Sequence, residues 1–247
     1  MLNASGRPAG KDLENELHLW SVDLDRLKLS IRDAEQMLPE SEKFRSQCFC
    51  LETIKARYIK SHYLIRLLLG QYLGTDFYHQ EFHYNEHGKP SLGNDSKNNV
   101  CYFNLSNAEN ICVYVFTKDS DPGVDIEKIH AMDNMNSIVE IYFSLSEKIK
   151  YFSLSEQNRI KTFFQYWTRK EALLKAIGLG LSYPLDKFDV ISNETRNAPF
   201  YITTNHQNSE TEWMIQDVNI LDGYAAALAL RGHCLDHPSR FRYFRVA

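Results

Sequence analysis

Between residues 51 and 73 the chain reads LETIKARYIKSHYLIRLLLGQYL, and apolar side chains return at Ile54, Tyr58, Ile65, Leu68 and Tyr72. That spacing is close to a 3.6-residue period and predicts a long amphipathic helix. A second run of the same kind begins at residue 156, behind Ser155 as an N-cap with Asn158 three residues on. It carries Ile160, Phe163, Phe164, Trp167, Leu174 and Ile177, and the GLGL run at 178–181 predicts its end. Shorter helices are expected over 31–47, broken near Pro39, and at about 134–142. Elsewhere the pattern alternates. LHLWSVDL (17–24) reads as a half-buried strand, and strands follow at 79–84, 100–105, 111–117 and 122–127. Further strands are expected near 187–191, 200–204, 213–218, 223–230 and 240–246, while HGKP (87–90) and SNAEN (106–110) read as turns.

The order is strand, long helix, strands, then long helix, strands. It predicts an α+β fold of two lobes, each an antiparallel sheet with one dominant helix. Residues 1–15 read as a disordered lead-in, 16–121 as an N-terminal lobe and 122–247 as a C-terminal lobe. No sequence repeat proves a duplication, and the absence of linker-like composition between the halves predicts that they pack tightly.

Hydrophobic residues make up 43% of the 247, enough for a substantial core. The net charge of −4 argues against a partner such as nucleic acid or an anionic membrane. No run approaches the ~18 apolar residues of a membrane span, and the N-terminus lacks the apolar stretch of a secretory signal. A soluble, cytoplasmic protein is therefore expected. The five cysteines, Cys48, Cys50, Cys101, Cys112 and Cys234, show no CxxC spacing. They read as free thiols of a reducing compartment, acting as small buried hydrophobes.

Candidate chemistry starts at PGVDIE (122–127). Strand alternation puts Asp125 and Glu127 on one face and sends Val124 and Ile126 to the core. Two like carboxylates repel unless a cation lies between them, and an oxygen-only pair suits Mg2+. The same pattern also occurs on a polar strand face exposed to water. In WTRKEALLK (167–175), Glu171 and Lys175 stand four apart. They form either a helix-surface ion pair worth ~0.3–0.5 kcal/mol or, at the border of a core, a third carboxylate with a cation. Residues 41–70 hold six cationic side chains, Lys43, Arg45, Lys55, Arg57, Lys60 and Arg66, against Glu42 and Glu52. That local surplus fits either recognition of a phosphorylated small molecule or a solvated helix face. Lys89 in HGKP adds a cation in a turn.

Together GVDIE (123–127), WTRKEALLK (167–175), GLGL (178–181), GKP (88–90), FNLS (103–106) and the Arg-bearing helix resemble the 4′-phosphopantetheinyl transferases, in their large, Sfp-type branch. The resemblance covers roughly residues 41–190. It implies a monomer of two similar lobes in a pseudo-twofold arrangement, with the active site between them. It also implies transfer of 4′-phosphopantetheine from coenzyme A to a serine of an apo carrier protein (acyl, peptidyl or related), with release of 3′,5′-ADP. Asp125, Glu127 and Glu171 would then hold Mg2+, with Glu171 also placed to take the serine proton. Lys175 would stabilise charge on the bridging phosphate. Arg45, Arg57, Lys89, Pro90, Ser106 and Asn107 would contact coenzyme A. One departure stands out, since the family usually places His directly after FN(I/L)S where this chain has Asn107. The alternatives are a non-catalytic carrier-protein or nucleotide-binding module of the same fold, and a metal-dependent phosphodiesterase.

Overall fold

The computed structural model describes Leu13 and residues 16–92, 101–192, 198–206, 209–232 and 241–246. The expected lead-in and Cys234 lie outside the described residues, apart from Leu13, which is buried in the first-half core. The first half contributes strands β1 (Leu17–Asp23), β2 (His83–Tyr84), β3 (Pro90–Ser91), β4 (Tyr102–Ala108) and β5 (Ile111–Thr117). Its helices are α1 (Ile31–Gln36), α2 (Glu40–Gln47) and α3 (Glu52–Leu73). The second half contributes β6 (Gly123–Lys128), α4 (Met135–Tyr142), α5 (Leu145–Phe152), α6 (Glu156–Ile177), β7 (Phe200–His206), β8 (Ser209–Asp217), β9 (Tyr224–Arg231) and β10 (Phe241–Val246).

Two four-stranded sheets carry the fold, in orders β10-β1-β5-β4 and β6-β9-β8-β7. Each has one 22-residue helix against it. On the first sheet, Leu64, Ile65, Leu68, Leu69 and Tyr72 of α3 pack on Trp20, Val22, Phe103, Tyr114 and Phe116. On the second, Phe163, Phe164, Leu173 and Leu174 of α6 pack with Trp213, Ile215, Ala227 and Ala229. The opposite faces meet each other through Leu17, Leu19, Val113 and Val115 against Val124, Ile126, Met214 and Leu228. The result is four layers, helix–sheet–sheet–helix, so central strands such as β1 and β5 bury both faces. At the seam β4 runs beside β6, where Asn104 Oδ1 accepts the Val124 N–H at 3.0 Å.

Several expectations are corrected. The first sheet is not wholly antiparallel, because β10 joins β1 in parallel. It also comes from the segment assigned to the C-terminal lobe, so the sheets do not divide at residue 121. Side chains fix it there: Trp20 stacks on Phe244 at 4.3 Å, Arg242 pairs with Glu16, and Ser21 bonds Tyr243. SNAEN is not a loop throughout. Strand β4 continues to Ala108, and the chain reverses on Glu109 and Asn110, with Glu109 at φ +51°. The strand expected at 79–84 shrinks to its last two residues, and that near 187–191 is replaced by a 3-10 turn at Leu185–Lys187. Ile54 is exposed, and so are Cys48 and Cys50; of the four described cysteines, Cys101 and Cys112 are buried as expected. Ser155 starts α6 without a side-chain cap bond. The capping box lies instead at Ser144 and Glu147, opening the unpredicted helix α5. Gly178 ends α6 in the left-handed conformation, φ +81°, as its sequence position predicts.

One contact sets how closely α6 lies on β6. A Cβ at Gly123 would stand 1.9 Å from the Ala172 carbonyl oxygen and 2.4 Å from the Ala176 nitrogen. Gly123→Ala must therefore push helix and strand apart. The expected cost is about 2–3 kcal/mol, a fall in melting temperature of roughly 5–10 °C for a chain of this size. Thermal unfolding within about 2 °C of wild type would show that the helix does not need this close approach.

Candidate active site

Because α6 lies on the side-chain face of β6 shared by Gly123, Asp125 and Glu127, the strand's two carboxylates point at the helix. Val124 and Ile126 are fully buried on the other face, as alternation requires. Glu171 and Lys175 stand one turn apart on α6 and meet the strand there. Lys175 Nζ lies 2.7 Å from Asp125 Oδ1 and 2.7 Å from Ser106 Oγ. Ser106 donates to the same Asp125 oxygen at 2.9 Å. Strand β4, strand β6 and helix α6 therefore close on one buried carboxylate. The other oxygen, Asp125 Oδ2, is buried with no hydrogen-bond partner among the described residues.

The electrostatics follow from that crowding. Burial, then the Asp125 charge, pushes Glu127 up to about 7; Lys175 opposes this and Glu171 adds to it. Glu171 is raised by burial and by Asp125 against the pull of Lys175. Three carboxylates thus share one cation, Lys175. An orphaned buried oxygen beside two carboxyls whose ionisation is opposed fits a divalent cation held by oxygen ligands. As they stand, no three acidic, His or Cys side chains among the described residues are gathered tightly enough to enclose an ion. Lys175 already occupies one oxygen of the best placed ligand.

The neighbouring motif residues lock the helix. Thr168, Arg169 and Lys170 of WTRKEALLK are all buried. Arg169 makes a bidentate bond to Asp217 at 2.7 Å and donates to the Val190 carbonyl. Lys170 pairs with fully buried Glu147 at 2.9 Å and donates to the Leu185 and Phe188 carbonyls. Sequence reasoning missed both, although two adjacent cations directly before Glu171, behind an aromatic run, are a readable hint of buried pairing. It also placed Ser106 in a nucleotide pocket, whereas here Ser106 bonds Asp125 and Lys175.

The residues expected to meet coenzyme A do not form one cluster. Lys89 is largely buried and its ammonium sits 3.1 Å from both the Ala176 carbonyl and Asp121. Burial lowers its pKa against the pull of Asp121. Its turn is bound to the end of α6, where Asn85 donates to the Gly178 carbonyl at 2.7 Å. Pro90 pairs with Tyr84 in the small hairpin. Arg57 is held by Asp25 in a bidentate bond at 2.9 and 2.5 Å. Arg45 is exposed in the last turn of α2. Asn107 is exposed and, by strand alternation, faces away from Ser106. The cationic surplus of residues 41–70 is mostly spent on structure, since Lys43, Lys55 and Arg66 pair with Glu40, Glu35 and Glu42, and Lys60 donates to the Leu24 carbonyl.

Part of this segment is shared with known proteins. Residues 121–229, which span β6 and α6, match the family described as the 4'-phosphopantetheinyl transferase superfamily. The chain is 28% identical over 220 residues to the 4'-phosphopantetheinyl transferase HetI of Nostoc sp., covering 89% of this chain and 90% of the relative. It is 30% identical over 161 residues to the 4'-phosphopantetheinyl transferase gsp of Aneurinibacillus migulanus, covering 65% of this chain and 62% of that one. It is 27% identical over 183 residues to the human L-aminoadipate-semialdehyde dehydrogenase-phosphopantetheinyl transferase, covering 68% and 59%.

The Glu127 carboxyl makes the site testable without a substrate. Its folded value, about 7, lies above its ordinary value of 4.5. Such a group favours folding when protonated, so its contribution is full below about pH 4.5 and is lost as pH rises through about 7. Glu127→Gln removes that loss. In chelator, the variant should melt roughly 2–5 °C above wild type at pH 8 and level with it at pH 4.5. A variant no more stable than wild type at pH 8 would mean that Glu127 ionises there without penalty.

Proposed function

We propose that this chain transfers 4′-phosphopantetheine from coenzyme A to a serine of an apo acyl, peptidyl or related carrier protein, releasing 3′,5′-ADP. The observation that carries this reading is the meeting of Asp125, Glu127, Glu171 and Lys175 between β6 and α6, inside the segment that matches the transferase superfamily. The match to HetI along most of both chains supports it. Two helix-on-sheet halves in one chain support the large, Sfp-type branch and a monomeric enzyme. We keep residues 16–121 as the nucleotide-side lobe and 122–247 as the catalytic lobe, with β10 crossing back to the first sheet. No helix among the described residues is long and apolar enough to cross a membrane, which suits a cytoplasmic enzyme.

Asp125, Glu127 and Glu171 are the residues that would hold Mg2+. The ion would neutralise the coenzyme A pyrophosphate so that an oxygen nucleophile can approach. Lys175 supplies positive charge to the bridging phosphate and the departing 3′,5′-ADP, and Ser106 orients its ammonium. Glu171, one turn before Lys175 on α6, is the residue that would take the serine proton. Lys89 and Pro90 bring the hairpin turn to the end of α6, where the phosphates would lie. Arg45, Arg57 and Asn107 are left for the nucleotide end. For Arg57 to meet a phosphate it must exchange its bond to Asp25. Glu171 and Lys175 beside a shared cation site favour catalysis over a binding-only module.

The test is incubation with coenzyme A, Mg2+ and a panel of apo carrier proteins, with intact mass read for the gain of one phosphopantetheine. Wild type should modify at least one carrier, and excess chelator or Asp125→Ala should abolish the gain while the fold persists. Lys175→Ala should lower kcat by about 10²-fold or more; a rate within about twofold of wild type would return it to a surface ion pair. Release of 3′,5′-ADP with no carrier present would favour the phosphodiesterase. Asp25→Ala, which frees Arg57, should lower the KM for coenzyme A by roughly two- to fivefold at low salt. An unchanged KM would remove Arg57 from the nucleotide contact.

A further inference from the structure

Beyond the Lys175 site, strands β4 and β6 continue side by side in the same direction. Asn104 meets Val124 and Ser106 meets Asp125. Glu109, at the tip of the β4–β5 turn, then meets Lys128, with 2.7 Å between their charged atoms. Three residues of strand separate this last contact from Ser106 and Asp125, about 10 Å. Both side chains are close to half exposed, so a ligand can reach them. Among the described residues Glu109 is the one non-glycine side chain on a left-handed backbone, φ +51°. Gly and Asn adopt that conformation far more readily than Glu does. A carboxylate kept on a strained turn points to a use for its charge.

The same turn is tied to a second cation. Asn110 donates to Asp23 at 2.7 Å, and its carbonyl accepts the Leu24 N–H at 2.8 Å. Asp25, the next residue along, holds Arg57 of α3 in its bidentate bond. Arg57 feels the charge of Asp25 first and that of Glu109 beyond it. The other cations here are spent: Lys60 donates to the Leu24 carbonyl and Arg26 pairs with Asp23. Tyr224 stands opposite Lys128 on β9. Arg57 and Lys128 thus approach one corner from two layers of the fold, and Glu109 is the carboxylate within reach of both.

We infer that Glu109 is a specificity-determining residue, a carboxylate that takes the place of the coenzyme A 3′-phosphate beside Lys128 and Arg57. This rests on the transferase reading above. Coenzyme A carries its 3′-phosphate one ribose away from its pyrophosphate. With the pyrophosphate at the carboxylate row, the long side chains of Lys128 and Arg57 can reach the 3′-phosphate, and both suit a phosphate dianion. The phosphate must first take Lys128 from Glu109, and it then lies beside the Glu109 charge, which repels it. Asn107, two residues earlier, offers no charge to offset that repulsion. The chain therefore separates coenzyme A only weakly from its 3′-dephospho form, and the cause is a carboxylate in the way.

The experiment measures kcat/KM for coenzyme A and for 3′-dephospho-coenzyme A, on one apo carrier protein that wild type modifies. Wild type should favour coenzyme A by no more than about tenfold. Glu109→Gln keeps the side chain's size, and Glu109→Gly relieves the backbone, so a folding defect in one is checked by the other. Each should raise the preference by about three- to tenfold at low salt. The gain should come from a lower KM for coenzyme A, with the constants for the dephospho form within about twofold of wild type. Lys128→Ala added to Glu109→Gln should cancel it. A preference unchanged in both Glu109 variants, or an equal gain for both substrates, would overturn the assignment. So would a gain that Lys128→Ala leaves whole. A wild type that modifies no carrier with either substrate would instead overturn the transferase reading.

Discussion

A helix can lie directly on a strand only where the strand offers no side chain at the crossing, and Gly123 provides that gap for α6. The rest of the site is a consequence. Two residues along a strand advance about 6.6 Å, and four along a helix advance about 6 Å. Once Gly123 fixes the approach, successive side chains on β6 and α6 fall opposite one another for several steps. Asp125 is brought to Lys175 and Glu127 to the neighbourhood of Glu171 without any loop having to carry a reactive group. Chemistry placed on two packed regular elements is held more closely than chemistry placed on loops.

The cost of the arrangement is concentrated charge in a partly buried place. Three carboxylates surround one lysine, and the raised Glu127 and Glu171 record the strain. Such a cluster persists because its frame is held independently. Arg169 and Lys170, on either side of the helix from the reactive face, are fully engaged with Asp217 and Glu147. Breaking either buried pair would leave an uncompensated charge, typically a loss of 3–5 kcal/mol. These pairs explain why α6 cannot rotate to relieve the repulsion at Asp125.

Much of this was legible in the sequence, for identifiable reasons. The long helices announced themselves by period, the end of α6 by Gly178, and the facing of Asp125 and Glu127 by alternation. What escaped was tertiary. The parallel pairing of β10 with β1 joins residues more than 200 apart and leaves no local signal. Helix α5 was hidden because its inward face pairs Glu147 with a single buried aromatic, Tyr151, while Leu145 and Ile149 are exposed. The cationic surplus of residues 41–70 looked like a phosphate patch because its partners, Asp25, Glu35 and Glu40, lie outside that window.

The central claim is that the carboxylate row between β6 and α6 joins a divalent cation to the coenzyme A pyrophosphate. Calorimetric titration of coenzyme A into the protein, with and without Mg2+, tests it without any acceptor present. The account predicts that Mg2+ tightens coenzyme A binding in wild type and that Asp125→Asn abolishes this gain while leaving binding in chelator nearly unchanged. Equal affinity with and without Mg2+ in wild type, or a full Mg2+ effect in Asp125→Asn, would contradict it.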